Sequence, residues 1–155
     1  MAKWGSCDFK QLKALQDRIE KLQKAELKKF CEAVSKELAA RLLAKVIKRT
    51  PVGQYPAGSG KVGGTLRRGW TGEKQQNATA YAQSLPVKQS GHTYEITIIN
   101  PVEYASFVNY GHRTRGGKGW VEGRFFLEKS ELEIESDAAK IIEKKLMQYL
   151  SETFK

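Results

Sequence analysis

The sequence predicts an α+β fold: N-terminal helices, a small antiparallel sheet of three to four strands with a short helix, and a long C-terminal helix. Three observations carry that expectation. Apolar residues recur at three- and four-residue steps from Phe9 to Ile47 and again along the last part of the chain. Between these stretches, Tyr94, Ile96 and Ile98 alternate with Glu95 and Thr97, the period of a half-buried strand. The order is helices, then clustered strands, then helix, rather than the regular alternation that builds a parallel sheet.

Asp8 followed by Gln11 reads as a helix N-cap with its capping-box partner. Phe9, Leu12, Leu15, Ile19 and Leu22 then form one apolar stripe, and Leu27, Phe30, Cys31, Val34, Leu38, Leu42, Val46 and Ile47 a second. One continuous helix and two helices bent near Lys24 both fit this pattern. The helical stretch ends near Thr50, because Pro51 disfavours helical geometry in the residue before it. Residues 51–64 hold five glycines and two prolines and are a candidate mobile loop.

Thr65 to Thr71 and Thr79 to Val87 are expected as short strands, and Tyr94 to Ile99 as the clearest strand. Ser90-Gly91 reads as a hairpin turn, and Asn100-Pro101 closes the strand. Val102 to Tyr110 is expected as a short amphipathic helix ended by Gly111. A second candidate mobile loop, 112–119, carries three glycines and the cations Arg113, Arg115 and Lys118. The last helix is expected from Phe125 to Phe154, with Leu132, Ala138, Ile141, Ile142, Leu146, Tyr149 and Leu150 among its apolar positions.

A length of 155 residues fits a single domain, 1–155, able to bury a core without disulfide or metal staples. No apolar run is long enough for a membrane span, and the N-terminus lacks the apolar core of a signal peptide, so folding in a cytosol is expected. Cys31 reads as a small buried hydrophobe and Cys7 as a free thiol, since a cytosol keeps thiols reduced. The net charge of +10 is unevenly spread. No acid lies between Glu37 and Glu73 or between Glu103 and Glu122, whereas Glu128 to Asp137 is acidic. A basic middle and an acidic end allow copies or neighbours to meet in a fixed orientation.

Several catalytic signatures fail on spacing or context. Gly58, Gly60 and Gly63 match a dinucleotide fingerprint as a string, but they follow a helix where the mechanism needs a strand. A phosphate-binding loop around Gly60-Lys61 would need Gly and Ser or Thr where Tyr55 and Val62 stand. His92 and His112 have no Cys or carboxylate at ligand spacing. Glu128, Glu131 and Glu135 recur at helical spacing and read as a solvated face. The Asn77-Ala78-Thr79 sequon has no use in a cytosolic chain. No catalytic, cofactor-binding or metal-ligating residue is identified, and a non-enzymatic role is expected.

Three ordered segments carry more specificity. The first is Thr50-Pro51-Val52, a Gly-rich stretch, and Gly64-Thr65-Leu66-Arg67-Arg68-Gly69-Trp70. The second is Ile99-Asn100-Pro101-Val102-Glu103-Tyr104-Ala105-Ser106-Phe107-Val108-Asn109-Tyr110-Gly111-His112-Arg113. The third is Gly119-Trp120-Val121-Glu122-Gly123-Arg124-Phe125-Phe126-Leu127. Together, over roughly Leu38 to Lys129, they resemble the tail-completion (neck, head–tail joining) protein family of phages and prophages, often described as minor tail components of lambdoid-type phages. Two departures stand out: Asn109 occupies a position where that family commonly has Glu, and the 53–64 loop is longer than the usual connection.

The resemblance implies a structural virion protein at the neck or tail end, made in the bacterial host cytoplasm. It also implies a ring, commonly of six subunits, between the head connector or adaptor protein and the tail tube or tail terminator protein. Leu66, Trp70, Tyr104, Ala105, Val108, Tyr110 and Gly111 are then expected as the family-motif core. Arg67, Arg68, Arg113, Arg115, Lys118 and Trp120 are the candidate interface or lumen residues, with transient DNA contact in the lumen. On a strand, Arg67 and Arg68 would point to opposite faces. No cofactor and no membrane contact is expected. The charge and the aromatics Trp4 and Trp120 leave a second reading, a sequence-independent nucleic-acid-binding protein.

Overall fold

A computed structural model describes residues 9–72 and 76–153. Trp4, Cys7 and Asp8, and with Asp8 the expected N-cap, lie outside the described residues. The first helix, α1, runs unbroken from Phe9 to Arg49, so the stretch is one helix continuous through Lys24 rather than two. No glycine or proline interrupts those 41 residues. It stops where Thr50 Oγ1 donates to the Val46 carbonyl (2.7 Å), one residue before Pro51. Lys48 and Arg49 in the last turn suit the negative end of the helix dipole.

The next two elements are helices where strands were expected. α2 spans Thr65–Gly69 and α3 spans Ala78–Ser84. Leu66 and Trp70 lie four apart, which is one helical turn but also an even number, so both periods place them on one face. Burial of Gly69, three after Leu66, belongs to the helical period alone. α3 is nucleated by Asn77, whose side chain accepts from the Ala80 N–H (2.7 Å) as a true N-cap. The alanines that follow are strong helix formers.

The expected sheet of three to four strands is instead two separate antiparallel hairpins. β1 (Lys88–Ser90) pairs with β2 (Thr93–Glu95) across the turn at Gly91-His92. β3 (Gly111–Arg113) pairs with β4 (Trp120–Glu122), so part of the 112–119 loop is strand. The Tyr94–Ile99 strand shortens because only its first residues find a partner; Ile96 and Ile98 still pack onto the core. Between the hairpins, α4 covers Ala105–Tyr110, and the final helix, α5, covers Phe126–Thr153.

α5 runs antiparallel to α1. Arg49 meets Ser130 and Glu133 at one end, Glu37 meets Lys145 midway, and Phe30 stacks against Tyr149 at the other. The core sits at the C-terminal half of α1, where Ala39, Ala40, Leu43 and Val46 meet Leu66, Trp70, Ala82 and Phe126. Cys31 is only half-buried, toward the end of α1 that the core does not reach. Among the described residues no helix is long and apolar enough to cross a membrane.

Candidate assembly surface

The motif residues fold into a hydrogen-bonded joint at the end of α1. Buried Thr50 is its centre: its hydroxyl accepts from Trp70 Nε1 (2.8 Å) while donating back to Val46. Its carbonyl, left without a helical partner at the helix end, accepts two bonds from the Arg67 guanidinium (2.7 and 3.1 Å). Asn100 crosses from the chain after β2, donating to the Leu66 carbonyl (2.8 Å) and accepting from Val102 N (3.1 Å). Trp70 closes the joint edge-on against Phe126 of α5. Leu66 and Trp70 are both buried. Gly69 is required here, because a Cβ would collide with Asn100 Oδ1 and Val102.

A second joint ties α4 to α5. Asn109 is buried and its amide donates to both oxygens of Glu128 (2.8 and 2.9 Å), while its carbonyl groups accept from Phe125 N and Leu127 N. A Glu at position 109 would face a second carboxylate, whereas Asn109 supplies Glu128 with a donor. Partial burial pushes the Glu128 carboxyl up, but bonds from Asn109, its own N–H and Tyr110 outweigh this and leave it below its usual value. The hydrogen bond to Glu128 and the charge of that carboxylate in turn raise the Tyr110 phenol. Phe125 is held at φ 50, an uncommon conformation for a bulky side chain, between these bonds and the start of α5.

Tyr104 and Tyr110 do not join the core; they are 45% and 54% exposed. α4 begins at Ala105 rather than Val102, and Ala105, Val108 and Asn109 form its inward face. Ala105 and Val108 pack against the core from partly buried positions. Gly111 ends α4 at φ 89, with β4 so close that a Cβ would strike the Val121 carbonyl. Tyr104, Phe107, Tyr110, Trp120, Val121 and Phe125 are thus all exposed around the β3–β4 hairpin.

That hairpin also carries the cations. Thr114 and Gly119 bond to each other across its tip, and Arg113, Arg115 and Lys118 surround it. Among the described residues none of the three makes an ion pair. Arg67 and Arg68 separate as neighbours on a helix, not on a strand. Arg67 points inward to Thr50, so it is a clamp rather than a free surface cation, whereas Arg68 stays exposed beside Gly63 and Thr65. The 51–64 loop folds beside α4 and encloses a cleft of about 300 Å³ lined by Val52, Tyr55, Val62, Tyr104 and Arg124.

Sequence reasoning missed Thr50, Asn100 and Asn109 as organising residues, and Glu133 as an ion-pair partner. Glu133 receives Lys45 Nζ (2.7 Å) and the Arg49 guanidinium, joining α5 to α1. The hydrogen bond from Lys45, then that from Arg49, holds its carboxyl down to about 2, against the opposing effect of burial. Its one available signal was spacing: Glu133 lies seven after Phe126 and three after Ser130, on the face that α5 turns to α1. Among the described residues no three His, Cys, Asp or Glu side chains cluster to hold a metal ion.

Residues 13–111 match the model of the HK97-gp10-like family, described as a bacteriophage HK97-gp10 tail component. No curated protein and no solved structure matches the chain. The family match spans more than half of the sequence and includes both joints up to Asn109, together with α4. The chain belongs to the HK97-gp10-like family of bacteriophage tail components.

Proposed function

We propose that this tail component acts as a single tail-completion domain at the neck of a phage or prophage virion. There it joins the head connector or adaptor to the tail tube or terminator, as a ring commonly of six subunits. It is built in the host cytoplasm and works without catalysis. The observation that carries this reading is the division of labour within the motif. Arg67 and Trp70 are spent on Thr50, and Asn100 on the backbone of Leu66 and Val102, so these polar groups fix the fold. The adjoining hairpin does the opposite, turning rings and unpaired cations outward, the composition of a protein interface rather than of a catalytic cleft.

Electron microscopy of particles from an induced lysogen carrying a tagged copy tests the proposal. Label at the collar between head and tail, with unjoined heads and tails on deletion, is the expected result. Label absent from every particle would refute it.

The unpaired Arg113, Arg115 and Lys118 beside exposed Trp120 favour one second reading, sequence-independent contact with nucleic acid. That reading predicts DNA binding by the isolated chain that falls steeply with salt. Weak, salt-insensitive binding would remove it.

A further inference from the structure

α5 has two apolar faces, and the fold covers only one. Phe126, Ser130, Ile134, Ala138 and Ile141 face α1 and the core, half-buried or better. On the opposite side Leu132, Ala139 and Ile142 follow one another at seven- and three-residue steps, with Leu132 65% exposed and Ile142 also open, while Leu146 borders a cleft shared with Leu27 and Phe30 of α1. Glu131, Glu135 and Glu143 flank this stripe within an arc of roughly 120° that carries no lysine. Lys129, Lys140, Lys144 and Lys145 all project outside it. Among the described residues none of these three glutamates makes an ion pair.

The β3–β4 hairpin is the complement of this face. It sets three unpaired cations beside exposed Trp120 and Val121, against three unpaired carboxylates beside exposed leucine and isoleucine. The dimensions agree as well. Glu131 to Glu143 extends over roughly 18 Å of helix, and the hairpin reaches at most about 20 Å from Gly111 to its tip.

We infer that the hairpin of one copy docks across the outer face of α5 of the next copy. The inference rests on the ring reading and names the contact that builds the ring. Such a contact is heterologous, joining two different patches, so an open assembly keeps one free hairpin at one end and one free helix face at the other until the ring closes. Pairing of α5 with α5 of another copy would set glutamates of like sign together, and is disfavoured. Docking covers both unpartnered surfaces at once, with the rings and aliphatic side chains in the middle and the charges around the edge.

Reciprocal charge reversal in the lysogen tests the contact, with particle yield and tagged-chain incorporation as readouts. R113E/R115E/K118E and E131K/E135K/E143K are each expected to lower the yield of joined particles about tenfold or more. The six-residue combination is expected to restore it to within about threefold of wild type. All six side chains are exposed, so thermal unfolding of each purified variant stays near wild type. As a second measurement, K118C with E135C, in a chain whose Cys7 and Cys31 are replaced by Ser, gives oxidised ladders between copies in particles.

Loss in both triple variants without rescue and without ladders overturns the inference and assigns the hairpin to DNA or to another virion protein. Normal yield from both, with the tagged chain still in particles, also overturns it while leaving the ring to form through another surface. A wild-type tagged chain absent from all particles overturns the virion reading itself.

Discussion

The joint at the end of α1 and the β3–β4 hairpin use the same residue types for opposite ends. Trp70 is 4% exposed, donates to Thr50 and meets Phe126 edge-on, whereas Trp120 is 55% exposed. Arg67 closes two bonds on a carbonyl, whereas Arg113 and Arg115 make no ion pair among the described residues. Both segments lie in ordered motifs of similar character in the sequence. What separates them is backbone supply. The end of α1 leaves a carbonyl without a helical partner and a buried threonine to be satisfied, and α2 arrives with the groups that satisfy them. The hairpin closes its own backbone through its ladder and the Thr114–Gly119 bonds, so its side chains are free to face outward. A motif can therefore hold the fold at one end and assembly at the other.

The sharpest way to break this contrast is to remove each tryptophan in turn. Trp70→Ala is expected to cost about 3–5 kcal/mol, since it empties a core site and leaves Thr50 without its donor. Trp120→Ala is expected to stay within about 0.5 kcal/mol in urea unfolding while impairing assembly. Equal loss of stability from both would erase the distinction. Next in size, Asn109→Asp replaces a buried donor with a carboxylate facing Glu128, an expected loss of about 3 kcal/mol at neutral pH. Because one of the two acids takes up a proton more readily on acidification, that loss should shrink as pH falls, which paired urea titrations would read. Gly69→Ala follows at about 1–3 kcal/mol, because the added methyl must displace Asn100 from the Leu66 carbonyl. A wild-type melting temperature for that variant would mean that the close approach of α2 to Asn100 carries no weight.

The helices at both ends were legible because they are long and periodic, with a proline to end the first. The middle was harder for specific physical reasons. Leu66 and Trp70 stand four apart, a spacing that strands and helices share, so it does not separate the expected strand from the helix that forms. Asn77 looked like a sequon remnant although it is the N-cap of α3, and caps are recognised only once the following residues are known to be helical. The inward face of α4 carries Ala105, Val108 and Asn109 rather than its largest side chains. Three large rings therefore lie outside while Asn109 lies inside. The unpaired cations of 113–118 were readable directly, because no acid sits near them in sequence and, among the described residues, the fold brings none into ion-pair range.

Glu133 gives the smallest expected effect and the one most sensitive to conditions. It joins the two long helices through Lys45 and Arg49, close to the joint but partly in solvent, where ion pairs contribute little. Its carboxyl titrates near about 2 when folded, against an ordinary value of 4.5. A depressed carboxylate stabilises the fold above its unfolded value, and that contribution disappears as pH falls through the folded one. Wild type and Glu133→Gln should therefore differ in stability at neutral pH, and the gap should close between pH 4.5 and about 2. Added salt should narrow the same gap at neutral pH, since the pair is partly exposed. A gap unchanged across this window would show that the helices are held there by packing around Ser130 and Phe126 alone, extending the buried joint along α5 and leaving charge to act only on the outer surface.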